Sequence, residues 1–293
     1  MTIEDAYKMI DSFWDTQVHD EDDEFEYVEA LTFLIEEQKD PRRMMQLGGF
    51  YYDKREFDLA LKYYDMAADL GYEEAYECLG YVWYYGRTGT KDYEKAFKYF
   101  SKAAGKGNIV AKYKIADMYK NGYFVEQDYE EYKKIIRGLY PLVKKAQYLD
   151  DPLPEIFTRL AHIEAKEGNS EFAVKLYLKA NHFLSQRISY NPFFGNLNIM
   201  KWLIEDLYKL IDPDPSEMDL FDLYYWLNEP HTVTFRYKGK HYTVSSVNED
   251  GEMHVKFEEK WYISKDDFFK KAMIKGRLLT EAYAELDDFR LES

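Results

Sequence analysis

The sequence predicts an all-α solenoid of two-helix repeats, followed by a small α+β domain. Amphipathic segments recur at an offset of 36 residues, as from Leu79-Gly80 to Ile115-Ala116. Small residues recur where paired helices must approach closely. From residue 231 the hydrophobic period changes from helical to alternating, which is typical of strands.

Residues 1–40 are predicted to form a helix pair that caps the array. The segments IEDAYKMIDSFWDTQ and EFEYVEALTFLIEE place apolar residues at helical spacing, and the acidic run DEDDEFE, from Asp20 to Glu26, is predicted to link them. This region holds fourteen acids and two lysines, hence −12 of the net charge of −16. Such a charge disfavours contact with nucleic acid and favours either a solvated helical face or a basic protein partner.

Residues 41–230 are predicted to contain the repeats and the helices that close the array. KYYDMAADLG, which ends at Gly71, realigns on KYFSKAAGKG, which ends at Gly107, and both glycines are predicted to end second helices in the left-handed conformation. Pro41 and Pro154 are predicted to open first helices. Two more helices, LNIMKWLIEDLYKLID and MDLFDLYYWL, are predicted around the turn-forming run DPDP.

Residues 231–293 are predicted to form a separate α+β module. The segment HTVTFRYKGKHYTVSSV predicts a hairpin that turns at residues 238–240, and a second hairpin is predicted to turn at residues 249–251. Ser264 is predicted to cap a helix over DDFFKKAMIKG, with Asp267 in a capping-box position. The segment TEAYAEL predicts a last helix.

The segment LGYVWYYGRTGTKDYEKAFKYFSKAAGKG combines glycines, alanines and aromatic residues at recurring positions. In this pattern it resembles the Sel-one-like repeats of the tetratricopeptide superfamily. The next unit, IADMYKNGYFVEQDYEEY, keeps the pattern up to Tyr129 and departs at Tyr132, where alanine is expected, so its second helix is predicted to be degenerate. The units LGGFYYDKREFDLALKYYDMA and LAHIEAKEGNSEFAVKLYLKA resemble ordinary tetratricopeptide units. The resemblance covers residues 41–185.

The resemblance implies that first helices line a concave surface, toward which the positions two and five residues after each Leu-Gly pair point. Tyrosine suits such a surface because it offers a large contact area, a hydrogen-bonding tip and a low entropy cost. The alternative is that these side chains pack in the core or against the degenerate third unit. The predicted partner-binding residues are Tyr52, Glu77, Tyr81, Tyr84, Tyr85, Tyr113, Asp117, Lys120 and His162.

The sequence lacks the common catalytic motifs. It contains no nucleophile elbow, phosphate-binding loop, dinucleotide fingerprint or H-E-x-x-H motif. The six histidines form no pair at metal-ligand spacing, and the single cysteine, Cys78, allows neither an internal disulfide nor a thiolate zinc site. We therefore predict no enzyme activity, no cofactor and no metal. No apolar run approaches the ~20 residues of a membrane span, and the terminus MTIEDAYKMIDSFW lacks a secretory pattern, which predicts a cytoplasmic protein.

The sequence thus predicts a non-catalytic scaffold or adaptor that binds a protein or peptide on the concave face, with its oligomeric state left open. One alternative is a nucleic-acid-associated accessory protein that binds through residues 231–293. There, cations and stacking groups are interleaved with the acids Glu249, Asp250, Glu252, Glu258 and Glu259. These cations and stacking groups are Arg236, Lys238, Lys240, His241, Lys256, Lys260, Tyr237, Tyr242 and Trp261.

Another alternative is an inhibitor whose acidic amino-terminal surface occupies a basic groove.

Overall fold

A computed structural model describes residues 1–15, 19–144, 153–190 and 194–292 of the chain. It shows a solenoid of helical repeats followed by a small antiparallel sheet, which confirms the predicted fold class. The chain divides into two compact units, residues 1–135 and 136–293. The domain boundaries predicted after residues 40 and 230 are a different division of the chain and stay predictions.

The first unit consists of helices, and α3–α4 and α5–α6 each pack as a pair. Helices α1 and α2 form the predicted amino-terminal pair and bury Ala6, Ile10, Leu31 and Leu34 in a common core. The helices are α1 (Ile3–Asp15), α2 (Glu21–Gln38), α3 (Pro41–Asp53), α4 (Phe57–Asp69), α5 (Glu73–Tyr85), α6 (Tyr93–Gly105), α7 (Ile109–Asn121) and α8 (Tyr129–Val143), of which α8 crosses the boundary between the units.

The acidic run at residues 20–26 was predicted to link α1 to α2, and this prediction is wrong, because residues 21–26 lie within α2. Asp20 is the N-cap of α2: its carboxylate accepts hydrogen bonds from the backbone N–H groups of Asp22 (3.0 Å) and Asp23 (2.9 Å). The Asp23 carboxylate in turn accepts from the backbone N–H of Asp20 at 3.1 Å. The other acids of the run lie within α2. Negative charge near a helix N-terminus is favourable there, because it interacts with the free N–H groups and with the positive end of the helix dipole.

Glycines allow close approach of the helices within the first two repeats. A Cβ atom on Gly80 of α5 would lie 2.5 Å from ring carbons of Phe100 on α6, and one on Gly48 of α3 would lie 2.6 Å from the ring of Tyr64 on α4. Neither distance is sterically possible, so a larger residue would force the helices apart. This confirms the packing reason for the recurring small residues.

The helix ends also follow the sequence signals. Pro41 is the first residue of α3, behind the N-cap Asp40. Gly71 and Gly107 follow α4 and α6 with φ angles of 79° and 96°, which are left-handed as predicted.

The second unit begins with helices. Helices α9 (Leu153–Lys166) and α10 (Ser170–Tyr190) pack as the helix pair of the predicted fourth repeat, and α11 (Phe194–Leu207) follows. The helix predicted over MDLFDLYYWL was wrong in length, since only α12 (Leu223–Trp226) forms. The side chain of Asp219 accepts hydrogen bonds from the backbone N–H groups of Phe221 (2.7 Å) and Asp222 (3.3 Å), which holds a turn before the helix.

The carboxy-terminal module contains a five-stranded antiparallel sheet in the order β4-β3-β2-β1-β7. The turns at Lys238-Gly239 and Asp250-Gly251 have positive φ angles and confirm the two predicted hairpins. Ser264 caps α13 by accepting from the N–H of Asp267 at 3.1 Å, as predicted. The elements are β1 (Thr232–Tyr237), β2 (Lys240–Glu249), β3 (Glu252–Phe257), β4 (Lys260–Tyr262), α13 (Lys265–Lys271), β5 (Met273–Ile274), β6 (Arg277–Leu278) and β7 (Leu286–Glu292).

The last predicted helix, over TEAYAEL, is wrong. Residues Tyr283–Glu285 form a single 3₁₀ turn, and the chain then pairs with β1 as strand β7, with Thr232 opposite Glu292. This pairing satisfies the backbone of β1 and buries Phe289, whose ring centre lies 5.1 Å from that of Phe235. Sheet pairing outweighs the local helix preference of the segment.

Candidate functional site

A lysine is buried among tyrosines where the second and third repeats meet. Lys114 of α7 is only 6% exposed. Its ammonium nitrogen lies 4.9 Å from the ring centre of Tyr81, 5.0 Å from that of Tyr85, and 5.3 Å from those of Tyr84 and Tyr113. The same nitrogen donates a hydrogen bond to the Tyr85 hydroxyl at 2.8 Å. Ring faces attract a cation most strongly where water is excluded, so this arrangement holds the charge inside the protein. We call these five residues the Lys114 cluster.

Helical spacing assembles the cluster from two elements. Tyr81, Tyr84 and Tyr85 lie three and four residues apart on α5 and so share one face. The rings of Tyr81 and Tyr85 stack at 5.8 Å, and the hydroxyls of Tyr81 and Tyr113 are 3.0 Å apart. Four predicted partner-binding tyrosines are therefore brought into contact with one another.

Glu77 joins the same helices one turn earlier. Its carboxylate accepts a hydrogen bond of 2.6 Å from the side-chain amide of Asn108, which is also the N-cap of α7. Burial raises the pKa of Glu77, while the Asn108 hydrogen bond and the charge of Lys114 act in the opposite direction. Glu77 thus fixes the start of α7 relative to α5 and lies within the electrostatic reach of the Lys114 cluster.

Arg87 extends the aromatic surface to the first repeat. Its Nε donates a hydrogen bond of 2.9 Å to the hydroxyl of Tyr52 on α3. The centre of its guanidinium lies 5.7 Å from the ring centre of Tyr52 and 5.1 Å from that of Tyr85. Burial raises the pKa of Tyr52, and Arg87 lowers it in part. Aromatic rings and cations therefore alternate from Tyr52 through Arg87 and Tyr85 to Lys114.

The tyrosines of the cluster differ in exposure and in packing. Tyr85 is 40% exposed, Tyr81 and Tyr84 are half-buried, and Tyr113 is buried. Tyr84 packs against the rings of Tyr93 (5.7 Å) and Tyr123 (6.0 Å), and burial raises the pKa of its phenol. Tyr84 and the buried Tyr113 pack against other side chains of the protein, which agrees with the alternative prediction of a packing role for these residues.

Two more of the predicted residues, Asp117 and Lys120, lie on α7 outside the Lys114 cluster. Asp117 is nearly buried next to Tyr84, where its charge adds to burial in raising the Tyr84 pKa. Lys120 places its ammonium 5.4 Å from the ring centre of Tyr132, the residue that departs from the repeat pattern.

His162 belongs to the other unit, on α9. Its Nδ1 lies 3.2 Å from Oδ2 of Asp206 on α11. This hydrogen bond is the main cause that lowers the pKa of Asp206 to about 2, with Lys209 contributing. His162 therefore belongs to a different compact unit from the residues of the Lys114 cluster.

Sequence reasoning missed Lys114 and Arg87. Lys114 stands 36 residues after Cys78, just before the Ile-Ala pair and next to the predicted Tyr113. A lysine at a position of the apolar pattern is the signal that could have found it. Arg87 follows the left-handed Gly86 in a loop, and no periodicity marks its position.

In the described ranges of the chain, no three His, Cys, Asp or Glu residues lie close enough together to hold a metal ion. No helix within those same ranges has the length and apolar character needed to cross a membrane.

Some of the cations predicted as a nucleic-acid surface in the carboxy-terminal module pair with carboxylates. Arg236 pairs with Asp287 at 2.8 Å and Lys238 with Glu285 at 3.2 Å. These pairs neutralise charge that would otherwise face a nucleic acid.

The paired helices and the surface along their first helices define a helical-repeat protein. A family model of the Sel1 repeat matches residues 44–72, 74–108 and 109–131. The chain therefore carries three Sel1 repeats, and the last match stops just before Tyr132, where the pattern breaks. This confirms the Sel-one-like resemblance of the second and third units. The first unit, predicted to resemble an ordinary tetratricopeptide unit, matches the Sel1 repeat as well. Sel1 and tetratricopeptide-like repeats generally mediate protein–protein interaction and are typically non-catalytic.

Solved structures of similar chains include repeat proteins. One is a Sel1 repeat protein from Oxalobacter formigenes, with 20% identity, 70% of this chain and 84% of that chain covered, and a TM-score of 0.45. Another is c5321, a protective antigen of uropathogenic Escherichia coli strains displaying an SLR fold, with 19% identity, coverages of 62% and 41%, and a TM-score of 0.44. A third is the TPR2AB-domain:pHSP90-complex of yeast Sti1, with 14% identity, coverages of 76% and 97%, and a TM-score of 0.27. No curated protein sequence matches the chain.

Proposed function

We propose that the chain is a cytoplasmic, non-catalytic scaffold whose Sel1 repeats bind a protein or peptide partner on the first-helix surface around Tyr81, Tyr85 and Arg87. The observation that carries this proposal is the Lys114 cluster. It holds the exposed ring of Tyr85 and the half-buried ring of Tyr81 beside the buried Lys114. Rings that are already ordered lose little entropy on binding, so their contact area contributes directly to affinity.

The chemistry of this surface suits a peptide backbone or an acidic side chain. Arg87 contacts three aromatic rings but pairs with no carboxylate in the part of the chain that the structure describes. Its guanidinium keeps N–H groups that can donate to a carbonyl or carboxylate oxygen of a partner. Stacked aromatic and arginine side chains are the residues that most often dominate binding energy at protein interfaces.

Affinity capture from a lysate of the native organism tests the proposal. The bait is the full chain as wild type, as the double variant Tyr85→Ala, Arg87→Ala, and as the control Phe25→Ala. Phe25 is a 67%-exposed aromatic residue of the same unit that lies outside the cluster. Tyr84 is left intact because its packed ring supports the fold.

A protein retained by wild type and by the control, and lost from the double variant, is the expected result. Equal retention by all three baits would place the binding elsewhere on the chain. Recovery of nucleic acid alone would favour the accessory-protein alternative instead.

A further inference from the structure

The carboxy-terminal module contains a groove at the β4 edge of its sheet. It has a volume of about 610 Å³ and is lined by residues of β2, β3, β4 and the β5–β6 ribbon. Strand β4 is an edge strand and is only three residues long. We call this feature the sheet-edge groove and define it by Lys240, Tyr242, Lys260, Trp261, Met273 and Lys275.

The groove carries three lysines whose charge is not paired in the described part of the chain. Among the described residues, Lys240, Lys260 and Lys275 form no ion pair with a carboxylate, whereas Lys238 and Lys271 nearby pair with Glu285 (3.2 Å) and Asp267 (2.6 Å). Lys240 and Lys260 instead place their ammonium groups 4.7 Å and 5.2 Å from the ring centres of Tyr242 and Tyr262. Three cations at one groove attract an anionic ligand.

One buried polar group in the groove lacks a hydrogen bond. Tyr242 is only 6% exposed, and its hydroxyl has no hydrogen-bond partner in the described part of the chain. A buried hydroxyl without a partner typically costs about 1–3 kcal/mol, so such groups are rare in folded proteins. An acceptor oxygen supplied by a ligand would remove this cost.

The groove also presents apolar surface to solvent. Trp261 is 50% exposed and Met273 is 47% exposed, although both are large apolar side chains. Exposed aromatic surface next to free cations is typical of sites that take a ring together with an acidic group.

We propose that the sheet-edge groove binds a short acidic peptide segment that carries an aromatic side chain. The ring packs against Trp261 and Met273, carboxylates lie beside Lys240, Lys260 and Lys275, and an oxygen of the peptide accepts from the Tyr242 hydroxyl. This site is separate from the surface around Tyr85 and does not depend on it.

A peptide fits this groove better than a nucleic acid does. Glu258 and Glu259 border the groove, and Glu259 is almost fully exposed. A nucleic-acid strand brings a phosphate with every nucleotide and is repelled by these acids. A peptide can place carboxylates only where the lysines lie.

The test measures binding of the labelled peptide Gly-Glu-Asp-Phe-Glu-Asp-Gly to the full chain by fluorescence anisotropy. We expect the variant Lys240→Gln, Lys260→Gln, Lys275→Gln to lose about tenfold or more in affinity, since it removes three cations from the groove. The matched control Lys209→Gln, Lys238→Gln, Lys271→Gln removes three ion-paired lysines of the same unit and is expected to bind like wild type.

A second variant tests the hydroxyl without disturbing the fold. Tyr242→Phe is expected to weaken binding by about threefold or more, while its thermal unfolding midpoint stays equal or rises because an unsatisfied polar group is removed. A peptide with alanine in place of phenylalanine is expected to bind more weakly as well.

Four outcomes overturn the proposal. The first is no binding of the peptide to wild type, and the second is equal loss in the groove triple variant and its control. The third is undiminished binding of the alanine peptide. The fourth is tighter binding of oligothymidylate at the groove, which would assign it to nucleic acid.

Discussion

A single lysine organises the surface along the first helices. Lys114 occupies a position that holds Cys78 in the preceding repeat, and it is kept there by four phenol rings and a hydrogen bond to Tyr85. Burial of a charge is costly unless the surroundings compensate it. The tyrosines of α5 therefore serve two purposes, since they stabilise the cation and expose ring surface above it.

Replacing Lys114 tests this coupling at the residue scale. In Lys114→Met the apolar stem is kept but the ammonium is lost, so Tyr85 loses its hydrogen-bond donor and the rings lose the cation between them. We expect the opening free energy of α5 and α7 amides, measured by hydrogen exchange, to fall by about 1–2 kcal/mol. Lys112→Met on the same helix serves as control. Unchanged exchange in Lys114→Met would mean that the lysine only fills space.

At the scale of the element, repeats and hairpins could be predicted because their determinants are local. The 36-residue period, the glycines at close helix contacts and the two-residue turns are all written in neighbouring residues. The strand β7 could not be predicted from its own residues, because its conformation depends on pairing with β1, whose partner residues lie 49 to 60 positions away in sequence. The acidic run was misplaced because seven charged or aromatic residues resemble a linker until the capping box of Asp20 is known.

The glycine at the contact of α5 and α6 makes a sharp prediction. Gly80→Ala would place a Cβ against the Phe100 ring, and we expect it to lower the free energy of unfolding by about 1–3 kcal/mol in urea titrations. Gly49→Ala is the matched control, because a Cβ there meets no atom within 4 Å. Since alanine favours the helix, the control is expected to be stabilising by up to about 1 kcal/mol. Equal effects of the two changes would contradict the close-approach argument.

At the scale of the whole chain, the candidate site could be predicted only in part, because some of its residues meet only when the repeats stack. Tyr81, Tyr84, Tyr85 and Tyr113 could be placed on one surface from helical spacing and repeat alignment. Arg87 could not, because its position depends on how one repeat stacks on the next.

The second unit carries a buried carboxyl pair that makes its stability sensitive to pH. Asp222 accepts hydrogen bonds from the Tyr208 hydroxyl (2.6 Å) and the backbone N–H of Asp219 (2.7 Å). Burial, together with the charge of the neighbouring Asp219, raises the pKa of Asp222 from 3.8 to about 7. The folded protein therefore binds a proton here more tightly than the unfolded chain does.

The pKa of Asp222 is higher in the folded protein than in the unfolded chain. We therefore expect the stability that protonated Asp222 contributes to be present below about pH 4 and to be lost as the pH rises toward 7. Asp206, with its pKa lowered to about 2, acts in the opposite sense and loses its contribution as the pH falls. Between pH 4 and 7 we expect wild type to lose about 1–3 kcal/mol more than Asp222→Asn in urea titrations. Parallel pH profiles of the two proteins would contradict the raised pKa.

The central claim, that partners bind on the surface of the Lys114 cluster, is tested most directly by photocrosslinking in the native organism. The photoreactive residue p-benzoylphenylalanine is placed at Tyr85 in one strain and at Phe25 in another, since both side chains are exposed in the same unit. We expect position 85 to crosslink to a specific protein and position 25 not to. Crosslinks to the same protein from both positions, or from position 25 alone, would contradict the account.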